Sequence, residues 1–111
     1  MCGIFGFTNF KKKDLEKARK SLHTLEHRGP DQWNDYFDED IYMGHQRLSI
    51  LDLSEYGNQP MLNPEKNVII SVNGEVYNFL ELKEELEPKY KFKSTSDSEV
   101  ILYGYIEWGI D

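Results

Sequence analysis

Cys2-Gly3-Ile4-Phe5-Gly6-Phe7-Thr8 is a short apolar run with two glycines, and it reads as a strand against which another backbone can come close. A strand starting at Cys2 holds that residue rigidly. Leu15, Ala18, Leu22 and Leu25 then recur at helical spacing, with Asp14 placed as an N-cap and Gly29-Pro30 as the stop. Residues 31–40 read as loop and turn. Residues 41–53 suggest one or two strands interrupted near Gly44, and residues 54–64, rich in Gly, Asn and Pro, a loop. The β-branched run 67–72 predicts a strand ending at Asn73-Gly74, a pair that in isolation suggests a hairpin turn. Asn78 with Glu81, and Ser96 with Glu99, have capping-box spacing ahead of two further helices, the second over residues 97–108, with a strand expected at 90–94 between them. The order β-α-β-β-β-α-β-α, with mostly antiparallel pairing and helices covering a face, places the chain in the α+β class.

Composition narrows the function. A domain of 111 residues buries roughly two-thirds of its unfolded surface without cross-links, and a 14% aromatic content argues for a folded chain. A net charge of −7 repels polyphosphate, so nucleic acid is excluded as an expected partner. The basic stretch 11–20 has an amphipathic helical period and no interleaved aromatics, and reads as a solvated helix face. No run is long enough for a membrane helix, and residues 1–8 do not resemble a signal peptide. Cys2 is the sole cysteine, which points to a reducing compartment, most simply the cytoplasm.

Cysteine after the initiator methionine has the small side chain that permits removal of Met1, leaving a thiol and a free α-amine on one residue. Such an amine can serve as the thiol's own base: free thiols and α-amines titrate within about one unit of each other, so proton transfer costs only about 1 kcal/mol. Amide hydrolysis would then run through an acyl-enzyme, the amine passing the proton to departing ammonia. A retained Met1 would turn that nitrogen into a non-basic amide. Taken alone, the position favours a small buried hydrophobe. Further segments reverse that balance.

Cys2-Gly3-Ile4-Phe5-Gly6, His27-Arg28-Gly29-Pro30-Asp31, His45-Gln46-Arg47-Leu48-Ser49-Ile50, Asn73-Gly74-Glu75-Val76-Tyr77-Asn78 and Ser96-Asp97-Ser98-Glu99-Val100 occur in that order. Together they resemble the class II glutamine amidotransferases. Arg28-Gly29-Pro30-Asp31, Arg47-Leu48-Ser49-Ile50 and Asn58-Gln59-Pro60-Met61 resemble the asparagine-synthetase type. The resemblance implies an N-terminal-nucleophile α-β-β-α sandwich of which residues 1–111 are the first part, a partial glutaminase domain whose synthetase domain is absent from this sequence.

By the same resemblance Cys2 is the nucleophile, and the Asn73 side chain and Gly74 backbone N–H form an oxyanion hole, each donor worth about 3 kcal/mol in a dry site. Arg47 would hold the α-carboxylate of L-glutamine with a planar fork, and Asp97 its α-ammonium. Glu75 joins the substrate-binding set as part of the same segment. No cofactor is implied for the glutaminase step. ATP and Mg are implied for the absent C-terminal synthetase domain, which would amidate aspartate with the released ammonia. The alternatives are a non-catalytic glutamine-binding or structural domain, and an amidotransferase acting on a carbohydrate-linked acid. His23 and His27 lie i,i+4 apart but lack a third soft ligand, so a packed or solvated pair is expected and no metal. His45 is expected to be structural, and the chemistry of Arg28 and Asp31 suggests no specific role. A sandwich cut partway would expose apolar surface, which leaves homo-oligomer formation open.

Overall fold

The computed structural model describes residues 2–49 and 53–110. Expectations about Met1 and Ile50 lie outside the described residues. Strand β1 (Gly3–Thr8) is followed by a 3₁₀ turn and helix α1 (Leu15–His23). Strands β2 (Gln32–Phe37) and β3 (Ile41–Arg47) form a hairpin. Two short strands, β4 (Met61–Leu62) and β5 (Ile69–Ile70), precede helices α2 (Phe79–Leu86) and α3 (Glu99–Trp108). The protein is a small α+β domain in which every strand pair is antiparallel: a three-stranded sheet of order β1-β3-β2 and a two-stranded sheet of β4 and β5.

Glycine explains why β3 sits in the middle. A break had been expected near Gly44, yet β3 runs unbroken, paired on both edges, because the missing side chain makes room for α1. A Cβ on Gly44 would stand 2.8 Å from Leu22 Cδ2, and one on Gly3 would stand 2.8 Å from Leu25 Cβ. Leu22 is thereby fully buried, a gain of roughly 1.5–3 kcal/mol. Around Phe10, Ala18 and Tyr42, the rings of Phe5, Phe7 and Phe37 complete the core between helix and sheet. Beyond His23 the chain tightens into i→i−3 turns, among them Leu25 N–H to Leu22 O, before Gly29-Pro30 ends it.

Residues 31–40 were expected to be loop, but most of them form β2. Its pattern is hidden because an edge strand carries polar groups, and Asp35 faces the helix. Arg19 meets that carboxylate through Nε at 2.7 Å and Nη2 at 3.2 Å, and the Tyr42 hydroxyl donates to it at 2.9 Å. The Arg19 guanidinium also lies over Trp33 and Phe37, 5.7 and 5.9 Å from the ring centroids, so this member of the basic stretch is bound to the sheet although its side chain stays partly exposed.

Side chains replace strand pairing at two other places. The run 67–72 forms a strand pair only over Ile69–Ile70, and, two residues on, both backbone groups of Val72 are taken by the side chains of Gln59 and His45. No hairpin forms at Asn73-Gly74: no strand follows, and neither residue has the positive φ that a type I′ turn requires. Residues 90–94 form no strand either, since Lys93 N and Ser94 N each donate to the Glu99 carboxylate at 2.9 Å. Glu99 therefore braces α3 from below instead of closing a capping box with Ser96, whose Oγ accepts from Ser98 N at 3.2 Å. Asp14 and Asn78 sit at the N-cap positions of α1 and α2 without a side-chain capping bond. A second core of Leu86, Val100 and Tyr103 joins α2 to α3, and α3 lies against β4 and β5.

Candidate active site

The two-residue period of β1 and β3 puts Ile4 and His45 opposite each other on the sheet face away from α1. Continuing that register by two residues on each strand, past the Gly3–Gln46 pair, places Cys2 beside Arg47. The thiol is half-buried. Leu48 N–H donates to its Sγ at 3.3 Å, and Sγ lies 3.8 Å from Leu48 O. Two residues of the first turn region lock this corner, although their chemistry alone suggested nothing. Arg28 Nε donates to the Cys2 carbonyl at 3.1 Å. Asp31 accepts from Ser49 N at 2.7 Å while its own N–H donates to Arg47 O at 3.0 Å. Gly29 lies so close on the Gln46 carbonyl that no side chain fits there.

Cys2, Arg47, Asn73, Gly74, Glu75 and Asp97 line one cavity of about 250 Å³. That is just below the roughly 300–1,000 Å³ usual for small-molecule pockets and suits a metabolite-sized ligand. Arg47 is 5% exposed, and its Nη1 donates to Ser54 O and to Asn58 Oδ1, both at 2.6 Å. Asp97 is 8% exposed, and its Oδ2 accepts from Val76 N at 2.6 Å. Among the described residues neither has an oppositely charged partner. A buried cation and a buried anion thus line one cavity, each without an ion-pair partner among the described residues.

His45 is 1% exposed and also reaches the cavity. Its Nε2 lies 3.0 Å from Val72 O and must donate, so Nε2 carries a proton. Nδ1 has no partner among the described residues. Burial, reinforced by the charge of Arg47, holds this imidazole below its ordinary pKa of 6.5, against the opposing hydrogen bond to Val72. Gln59, which sequence reasoning passed over within its motif, is likewise buried and lines the cavity. The only signal for it was its place in Asn58-Gln59-Pro60-Met61.

His23 and His27 do not share a site: His23 packs edge-on against Trp33, with centroids 4.8 Å apart. Among the described residues no three His, Cys, Asp or Glu side chains are grouped to hold a metal, and no helix is long and apolar enough to cross a membrane.

Comparison with known proteins gives the family. A family model described as glutamine amidotransferase domain matches residues 1–111. The chain is 40% identical over 114 residues to asparagine synthetase [glutamine-hydrolyzing] 1 of Arabidopsis thaliana, covering 100% of this chain and 19% of that protein. It is 40% identical over 112 residues to asparagine synthetase B [glutamine-hydrolyzing] of Escherichia coli strain K12, covering 98% and 20%. It is 39% identical over 117 residues to asparagine synthetase [glutamine-hydrolyzing] 3 of Bacillus subtilis strain 168, covering 100% and 19%. The chain thus spans about a fifth of the length of these relatives, at their amidotransferase region. With the whole of its length matched, the chain belongs to the glutamine amidotransferase domain family.

Proposed function

We propose that the cavity binds L-glutamine by its zwitterionic end and that Cys2 hydrolyses its side-chain amide to glutamate and ammonia. The observation that carries this reading is the pairing of buried Arg47 with buried Asp97 on the cavity that Cys2 also lines. Arg47 presents the rest of its fork to the α-carboxylate, and Asp97 accepts from the α-ammonium. The side-chain amide then extends toward Sγ.

In the processed chain the α-amine takes the thiol proton as sulfur attacks the amide carbon. The Asn73 side-chain N–H₂ and Gly74 N–H stabilise the oxyanion. As that intermediate collapses, the C–N bond breaks and the amine's proton leaves with ammonia. Water, activated by the same amine, then attacks the thioester and releases glutamate and the thiol. Glu75 contributes at the rim of the substrate site.

An N-terminal-nucleophile sandwich is supported by α1 lying on the three-stranded sheet, α3 lying against the β4–β5 pair, and the His45–Val72 bond that links the two parts. The relatives' names, glutamine-hydrolysing asparagine synthetases of about five times this length, support use of the released ammonia for asparagine synthesis on a longer polypeptide; aspartate as acceptor, and ATP and Mg at a C-terminal synthetase domain, belong to the proposal. The residues described here do not fit ATP or Mg, since they include neither a glycine-rich phosphate loop nor a three-ligand cluster, and no step is routed through them. We place the reaction in the cytoplasm, in keeping with a lone reduced thiol.

The test is release of glutamate from glutamine by the full polypeptide with a free Cys2 amine. Stoichiometric glutamate and ammonia is the expected result. Saturable glutamine binding without turnover would replace this reading with that of a glutamine-binding domain.

A further inference from the structure

Both ends of the three-residue segment Asn73-Gly74-Glu75 trace back to one pair of adjacent residues at the start of α3. Downstream, Val76 N donates straight to Asp97 Oδ2 at 2.6 Å. Upstream, Val72 N donates to Gln59 Oε1 at 2.6 Å, and Gln59 Nε2 donates to Ser98 Oγ at 3.3 Å. The Gln59 amide is 6% exposed and has a fixed direction: its oxygen must face the Val72 N–H, so its nitrogen must face Ser98. His45 Nε2 donates to the Val72 carbonyl at 3.0 Å, so both backbone groups of Val72 are held by side chains.

We propose that Gln59 is a positioning residue that sets the oxyanion donors Asn73 and Gly74 in register with the ammonium-binding carboxylate Asp97. This rests on the glutaminase reading above. Gln59 touches neither the reacting amide nor the thiol; it acts through the Val72 peptide. Without it one of the two anchors of the donor segment is lost, while Arg47 and Asp97 keep their own contacts. Ground-state recognition of the zwitterion should therefore survive, and stabilisation of the tetrahedral intermediate should not.

The experiment uses the full polypeptide with a free Cys2 amine. Gln59→Met keeps the length of the side chain and removes both bonds. Gln59→Glu keeps an acceptor for Val72 N, and the Ser98 hydroxyl can turn to donate to it. Gln59→Met should lower kcat for glutamine by about tenfold to a hundredfold, the range that small misplacement of catalytic donors produces, with KM changed less than about threefold. Gln59→Glu should recover most of that loss.

A second readout uses L-glutamate γ-aldehyde, whose carbonyl adds the Cys2 thiol to give a tetrahedral hemithioacetal with its oxygen at the donor site. Its affinity should fall with kcat in Gln59→Met, while that of glutamate, which forms no adduct, should not. Equal loss for both ligands, or a wild-type kcat, would overturn the positioning role. If Gln59→Met does not fold, Ser98→Ala carries the test, with a several-fold fall in kcat at constant KM expected and an unchanged kcat overturning the role. A wild-type protein that releases no glutamate would instead overturn the glutaminase reading, and this inference with it.

Discussion

At the scale of single residues, the site separates chemistry from recognition. Cys2→Ala should remove essentially all glutamine hydrolysis and leave glutamine binding measurable, because the zwitterion contacts lie on Arg47 and Asp97; undiminished glutamate release would reject Cys2 as nucleophile. Arg47 already spends Nη1 on Ser54 O and Asn58 Oδ1, so Arg47→Lys loses a fork that one ammonium cannot replace. Glutamine binding should weaken by about 1.5–3 kcal/mol and appear as a raised KM in a glutamine titration. His45 links the site to pH. Its folded pKa is lowered, chiefly by burial, so the unfolded chain binds the proton more readily. Its contribution to stability is complete above the unfolded value of 6.5 and is lost as pH falls from there through the folded value. Thermal unfolding against pH should show wild type losing stability below about pH 6.5 more steeply than His45→Gln, whose amide can still donate to Val72 O. Parallel curves would show that the imidazole is not the titrating group.

At the scale of elements, two glycines set how closely the pieces can meet. Gly44 admits Leu22 of α1 onto β3, and Gly29 lets the loop after α1 lie on the Gln46 carbonyl beside Arg47. Gly44→Ala should cost about 1–3 kcal/mol in a denaturant melt, since the crowding atoms are side-chain methyls that can shift. Gly29→Ala should cost more and also lower activity, because the crowding atoms are backbone and the same loop carries Arg28 to the Cys2 carbonyl. A Gly29→Ala protein as stable and active as wild type would contradict that packing. The β1 strand, the α1 helix and the final helix could be read from the sequence because their apolar periods are uninterrupted. β2 could not, since its charge is neutralised by Arg19, a residue far away in sequence.

At the scale of the whole molecule, large apolar side chains remain in water. Tyr77 is 91% exposed and Leu80 68%, and Trp33 and Trp108 stay about half-exposed. Residues 1–111 expressed by themselves should therefore self-associate and turn over glutamine more slowly than a longer polypeptide that carries them. Sedimentation and glutaminase rates on the two, both with a free Cys2 amine, decide this. A monomer with the longer chain's rate would show that nothing else needs to cover those side chains.

Sequence alone determined the α+β class and the amidotransferase family and named six of the residues that line the cavity, because each rests on local periodicity or on motif chemistry that survives without coordinates. Only the tertiary structure decided how those residues are held. The Val72 backbone held by Gln59 and His45, the Glu99 brace under residues 93–94, and the Arg28 bond to Cys2 all join segments through polar side chains. Such a bond leaves no periodic trace in either segment, so it becomes visible only when the backbone brings the two partners within about 3 Å.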